Sequence, residues 1–342
     1  MRVTLKDIAG KVGVTKTAVS LALRNSPGVS QTMRDTIRRV AAEMGYVTDP
    51  ILQRLAAYRR AGEAAQFQNV IAWLNHWSEP ARLRSYHEFD QYWRGAKLAA
   101  KRMGYRLDEF IWPPELPAKQ AEQKLCERGA LGLLIPPHKP EVNWDGFDWS
   151  QFSLMRFGLS VRQIDSNLVT ADHQRAIPMA VKKIHDYGYR RIGLVYDAAH
   201  DRSMGGNIYG GFLWAQTRLN LEQVVPPHNF DPQHLAAASR RDFNRWLEKH
   251  RPDAILTTLP QIPVILSELG CRIPGDVAVA GTSPYDISVD AGIDQCPHAI
   301  GQIAAEMLIK QISLNERGEP ADPCRILVES RWRDGKSLPS RL

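Results

Sequence analysis

Cysteine is scarce in this chain of 342 residues: Cys126, Cys271, Cys296 and Cys324 are all there is, and no two share a CxxC spacing. So few, so far apart, they exclude a disulfide-stapled scaffold and argue against a thiolate metal site; reduced thiols in the cytosol are expected. No apolar run approaches the ~18 residues that span a bilayer. The opening MRVTLKDIAG lacks the apolar stretch of a signal peptide, so a cytoplasmic location with no membrane partner is expected. A GxSxG elbow, a P-loop, an HExxH pair and paired metal-ligand spacings are missing too. The glycine pairs at 205–206 and 210–211 lack the GxGxxG form and read as loop glycines. The expectation is no catalytic residue, no metal and no cofactor.

What the chain does have is charge at one end. Residues 1–60 carry eleven Lys/Arg against four Asp/Glu, a net of +7. Of the 44 Lys/Arg and 37 Asp/Glu in the whole chain, 33 of each lie beyond residue 60, so the rest is neutral on balance. A short basic head on a neutral body is the footprint of a module that sits on phosphates. The length implies two or three domains.

The head reads as three short helices. Thr4 precedes an apolar ladder of Leu5, Ile8, Ala9 and Val12, and Thr4–Asp7 has the spacing of a capping box. Gly13 breaks that helix. Thr15 can cap a second, which buries Val19, Ala22 and Leu23 and shows Lys16, Thr17, Ser20, Leu21 and Arg24 on its other face. After Pro27 and Gly28, Ser30 caps a third helix that buries Ile37, Val40, Ala41 and Met44 and ends at Gly45. Either this is a small bundle with a solvated charged face, or it is a helix-turn-helix. The charge imbalance and the tight Gly-Val-Thr turn favour the second. On that reading Lys16, Thr17 and Leu21 reach base edges, Lys16 toward guanine acceptors and Leu21 toward a thymine methyl. Thr4, Thr15, Ser20, Arg24, Ser30 and Arg34 hold phosphates.

The stretch VTLKDIAGKVGVTKTAVSLALRNSPGVSQTMRDTIRRVAAEMGY resembles the head of the lactose/galactose repressor (LacI/GalR) family. Where that family usually carries an arginine, this chain has Leu21, which implies an operator unlike the commonest half-site. Asp49-Pro50 reads as a helix start. The family's hinge helix orders on operator DNA and wedges a leucine into the minor groove. By position that leucine is Leu55, with Arg54 near phosphate; the alternative is a plain linker helix packing Leu52 and Leu55 on the body.

From residue 69 onward the pattern alternates. Strands are predicted at 70–75, 105–112, 131–136, 153–158, 191–196, 254–258 and 277–281. Helices are predicted through Tyr92–Met103 and Lys124 and at 174–187, 208–219, 239–250 and 261–269. Such β–α alternation means doubly wound parallel sheets, and its length calls for two lobes. YWRGAKLAAKRMGYRL, KKIHDYGYRRIGLVY and GCRIPGDVAVAG resemble a type I periplasmic-binding-protein-like effector domain. The fold class is then α/β: a helix-turn-helix domain at 1–48, a hinge at 49–61 and a two-lobed body at 62–342. The resemblance implies three crossings, near 160, 290 and 318. Lobe 1 is then about 62–160 and 290–317, and lobe 2 about 161–289 and 318–342. A ligand lies between the lobes at the carboxyl ends of strands.

Strand ends supply the cleft candidates: Asn75, His76 and Trp77; Arg156; Arg202 and Asn207; Tyr285; Asp294 and Gln295. Trp77 either stacks on a sugar or packs the first body helix. Leu259-Pro260 and Thr282-Ser283-Pro284 replace acidic groups that many family members carry, and Ile208 replaces an arginine. The resemblance implies a homodimeric repressor on double-stranded, near-palindromic operator DNA, controlled by a small-molecule effector, a sugar or sugar derivative. A sugar-metabolising enzyme fused to the head and an orphan regulator without a ligand are the alternatives.

Overall fold

The computed structural model describes residues 4–23, 28–44, 46, 69–138, 142–219, 221, 223–232 and 236–342. The readings of Arg24, Arg54 and Leu55, and of a helix starting at Asp49-Pro50, lie outside the described residues.

The head contains α1 (Leu5–Val12), α2 (Lys16–Leu23) and α3 (Gln31–Glu43). Thr4 opens α1 with both halves of a capping box: its hydroxyl accepts from the Asp7 amide at 3.4 Å, and its own amide donates to Asp7 Oδ2 at 2.8 Å. Gly13 closes α1 in the left-handed region (φ 75°), where a side chain would be strained. Thr15 Oγ1 accepts from the Ala18 amide at 3.1 Å. The three helices meet over Ile8, Ala9, Val19, Ala22, Ile37, Val40 and Ala41, with Leu5, Leu23, Met44 and Tyr46 around the edge. Ile8 and Ile37 are wholly buried, each stabilising the head by roughly 1.5–3 kcal/mol.

The body has two six-stranded sheets. The first lobe begins with β1 (Asn69–Asn75), α4 (Pro80–Leu83), α5 (His87–Arg102), β2 (Tyr105–Ile111), α6 (Ala118–Glu127), β3 (Ala130–Ile135), β4 (Ser153–Phe157) and β5 (Asn167–Ala171). The second holds α7 (His173–Asp186), β6 (Ile192–Tyr196), α8 (Ala198–Ser203), α9 (Asn207–Arg218), β7 (His228–Asn229), α10 (Ala236–His250), β8 (Ala254–Thr257), α11 (Gln261–Glu268), β9 (Ala278–Gly281) and β10 (Gly292–Asp294). Then α12 (Pro297–Leu314) and β11 (Arg325–Val328) return to the first lobe, and β12 (Arg331–Arg333) ends in the second. The strand orders are β11-β5-β4-β3-β1-β2 and β12-β10-β9-β8-β6-β7. All pairings are parallel except β10–β12. Fully buried strands such as β6 and β8 are near-continuous apolar runs, as parallel strands covered on both faces must be.

The crossings differ from those expected near 160, 290 and 318. The chain leaves the first sheet between Ala171 and His173, returns between Asp294 and Pro297, and leaves again at Glu329-Ser330. Two short strands cause the shift. β5 pairs with β4 on one side and β11 on the other, Leu168 facing Arg325, so both belong to lobe 1. The β5–β11 pairing joins residues more than 150 positions apart, and neither strand carries a long apolar run.

Helices α5 and α12 cross at backbone distance. A Cβ on Gly95 would stand 2.0 Å from the His298 carbonyl oxygen, and one on Gly301 would stand 2.1 Å from that of Tyr92. This crossing fixes the start of α5 over the first sheet.

Candidate functional site

On the head, α2 turns Val19 and Ala22 inward and leaves Thr15, Lys16 and Thr17 exposed. Ser20 and Leu21 follow one turn later on the same side and are half-buried. Leu21 is therefore less exposed than expected, its Cδ1 lying 3.8 Å from where a Cβ on Gly28 would be. Ser30 Oγ accepts from the Met33 amide at 3.4 Å, and Arg34 donates to the Val29 carbonyl at 3.1 Å. Both side chains thus first shape the turn into α3. Hydrogen bonds from Thr4 hold the Asp7 carboxyl below its ordinary range, so it stays charged at the positive end of α1.

In the body, the two lobes touch through segments that follow the carboxyl ends of their strands. The His87 and Glu88 amides, after β1, donate to Asp286, after β9, at 2.7 and 3.2 Å. Tyr285 stacks on His87 at 4.7 Å. Arg162, after β4, donates to the carbonyls of Arg202 and Ser203, after β6, at 2.7 and 2.9 Å. The cleft lies where such folds place their ligands.

The sequence candidates divide into three groups. Tyr285, Asp294 and Gln295 come together at the second crossing. Tyr285 Oη lies 3.5 Å from Asp294 Oδ2, and Gln295 Nε2 donates to the Thr282 carbonyl at 2.8 Å. Arg202 and Asn207 share the loop touched by Arg162, with Asn207 Nδ2 donating to the Met204 carbonyl. Asn75, His76, Trp77 and Arg156 are instead spent inside lobe 1. Asn75 donates to the Pro80 carbonyl and Glu109, and accepts from the Trp77 amide. Both ring nitrogens of His76 face carbonyls, those of Trp112 and Asn143, and its ring stacks on Trp112 at 4.2 Å. Trp77 is 8% exposed and its indole donates to the Pro137 carbonyl. His76, Trp77, Arg82, Trp112, Asn143 and Asp145 line a recess of about 460 Å³ within lobe 1. Arg156 is buried and ties down the loop after β4 through Ser166 and the Val161 carbonyl.

Sequence reading missed residues that the fold brings to the cleft. Glu88 and Tyr92 lie one turn apart on α5, the tyrosine hydroxyl donating to Glu88 Oε1 at 2.5 Å. Burial, aided by the Asp286 carboxylate, pushes the Glu88 carboxyl up to about 7. His173, at the first crossing beside His200, is pushed down to about 4 by burial and stays neutral. An available signal was the acid four residues before Tyr92, in line with the apolar stripe of α5. Ser160 Oγ, Thr258 Oγ1 and Gln295 Oε1 are among the buried side-chain polar atoms without a hydrogen-bond partner among the described residues. They follow β4, β8 and β10, at the carboxyl ends of strands from both sheets. Native proteins seldom leave such groups unsatisfied.

Fold and site together define a class: a helix-turn-helix head followed by a two-lobed ligand-binding body. Residues 4–49 match the family described as bacterial regulatory proteins, lacI family, and residues 181–338 match a periplasmic binding protein-like domain. The chain is 24% identical to the HTH-type transcriptional regulator KdgR of Bacillus subtilis (strain 168), over 98% of this chain and 97% of that protein. It is 23% identical to the HTH-type transcriptional repressor PurR of Proteus mirabilis (strain HI4320), over 96% of each. A solved transcriptional regulator CelR–cellobiose complex shares the fold, with a TM-score of 0.58 at 19% identity, covering 98% of this chain and 100% of that one. The lac repressor dimer bound to operator and the anti-inducer ONPF gives 0.53 at 18% identity, covering 99% and 100%. With a lacI-family head and a periplasmic-binding-protein-like body, the chain is a ligand-controlled, DNA-binding transcriptional regulator. Members of that family are regulators, not enzymes. Among the described residues no helix is long and apolar enough to cross a membrane, and no group of three or more His, Cys, Asp and Glu is placed to hold a metal ion.

Proposed function

We propose that this protein is a cytoplasmic repressor that binds a near-palindromic operator as a homodimer and answers to a sugar or sugar derivative held between its lobes. Residues 1–48 form the DNA-binding domain, 49–61 the hinge and 62–342 the effector and dimerisation domain. The observation that carries the DNA-binding half is the exposed first turn of α2, with Lys16 and Thr17 free of the head's core. A recognition helix presents such N-terminal side chains to base edges, while twofold symmetry pairs two heads with two half-sites. Thr4, Thr15, Ser20, Ser30 and Arg34 are assigned to phosphates; Arg24, Arg54 and Leu55, outside the described residues, are assigned to DNA as well. Lys16→Ala and Thr17→Ala are each expected to relax base preference at one half-site position, by about 1–3 kcal/mol per lost contact. Binding-site selection measures this, and unchanged preferences in both variants remove the readout assignment.

The effector half is supported by the unpartnered polar atoms at strand ends of both sheets, which suit a ligand carrying several hydroxyls. The solved CelR–cellobiose complex, similar in fold, supports a carbohydrate. Tyr285, Asp294 and Gln295 are the proposed contacts, with Arg202 and Asn207 at the far side. Asn75, His76, Trp77 and Arg156 shape the lobe 1 wall. A thermal-shift screen of neutral mono- and disaccharides is expected to yield a stabilising ligand. Gln295→Leu should abolish that shift and leave operator affinity intact; a wild-type dose curve removes Gln295 from the site.

A further inference from the structure

Helix α5 begins without a cap from its own lobe. Tyr86 occupies the cap position with extended backbone (φ −74°, ψ 122°) and makes no side-chain hydrogen bond to the helix. The first amides of a helix have no partner within it, and a carboxylate placed against them gains hydrogen bonds and a favourable dipole interaction. Here the carboxylate comes from the opposite lobe. Asp286 Oδ1 accepts from the His87 amide at 2.7 Å and Oδ2 from the Glu88 amide at 3.2 Å. Ser283 Oγ donates to the same Oδ2 at 3.2 Å and holds the carboxylate in place. Tyr285 lies over His87, with the Arg333 guanidinium 5.1 Å from the tyrosine ring. The capped turn carries Glu88, and the next turn carries Tyr92.

We propose that Asp286 is a positioning residue of the effector cleft, capping α5 across the lobe boundary so that closure of the lobes and ordering of the first turn of α5 are one event. Separation of the lobes strips the cap and exposes the His87 and Glu88 amides to water. Closure restores it and sets the direction of Glu88. Asp286 thereby couples the lobe that follows the head to the lobe beyond it, whatever effector is bound.

Hydrogen–deuterium exchange on the full-length protein without added ligand tests this. In Asp286→Ala, exchange at the His87 and Glu88 amides should rise at least tenfold, while amides of β9 keep wild-type rates. Asp286→Asn retains an acceptor oxygen and should recover most of the protection. Tyr86→Ser supplies a cap within the same lobe, and in the Asp286→Ala background it should restore protection at α5, which repair of a merely misfolded loop would not do. Asp290→Ala is the control, since Asp290 accepts from the Lys336 and Ser337 amides within lobe 2. Unchanged exchange at His87 and Glu88 in Asp286→Ala, or an equal rise in Asp290→Ala, overturns the proposal. The outcome is independent of whether the effector is a sugar, so its failure leaves the effector reading standing.

Discussion

Gly301→Ala is expected to cost the body about 3 kcal/mol or more, and Gly95→Ala a similar amount, read as a fall in the denaturation midpoint of full-length protein. The obstacle in each case is backbone: the Tyr92 carbonyl for Gly301, the His298 carbonyl for Gly95. No rotamer change relieves a methyl group driven to about 2 Å from a main-chain oxygen, so the two helices must part. Their separation loosens the buried faces of Ala96, Ala99, Ile300, Ala304 and Leu308 together. It also displaces the turn that presents Glu88 and Tyr92, so surviving protein should lose its effector response. Gly10 is the contrast. It lies in α1 with nothing within 4 Å of the place an added methyl would take, and Gly10→Ala should stabilise the head by about 0.5–1 kcal/mol. A Gly301→Ala protein as stable as wild type would show that the helices cross at a wider spacing.

Glu88→Gln should change how stability depends on pH. The folded protein keeps the Glu88 proton up to about pH 7, whereas an unfolded chain releases it near the ordinary value of 4.5. Between those values the native state binds the extra proton, so the contribution of Glu88 is fully present below 4.5. It declines as pH rises toward 7, and levels off above. Glutamine keeps an oxygen for the Tyr92 hydroxyl and cannot ionise beside Asp286. Variant and wild type should therefore melt alike near pH 4.5, with the variant higher at about pH 8. Relief of about 1 kcal/mol corresponds to roughly 2–4 °C in a body of this size. His173 runs the other way. Kept neutral to about 4, it lowers stability as pH falls below the ordinary histidine value of 6.5, and it cancels in the difference between the two proteins. Parallel melting curves across that whole range would place the Glu88 carboxyl in water.

How far the sequence could be read depended on how local each interaction is. The head was legible down to its caps, because Thr4–Asp7 and Thr15–Ala18 close within three residues. The β–α alternation was legible for the same reason wherever a strand carries its own apolar run, as β1, β3, β6, β8 and β9 do. The lobe boundaries were not, because β5 is defined by a partner strand more than 150 residues away. The cleft was half legible. Tyr285, Asp294 and Gln295 stand near one another in the chain, and proximity in space follows. Asn75 and His76 have the right residue types at a strand end, but local carbonyls and amides consume their polar atoms. Asp286 and Glu88 are 198 positions apart, and only the closed pair of lobes joins them.

The return of α12 and β11 to the first lobe has a consequence for synthesis on the ribosome. The head and β1 emerge early, yet the sheet that follows the head lacks an edge strand, and α5 its packing partner, until residues 297–328 have been made. A nascent or prematurely terminated polypeptide therefore carries a finished head on an unfinished neighbour. Such a product exposes apolar surface that the missing elements would cover, and it is expected to be a better protease substrate than the full-length protein.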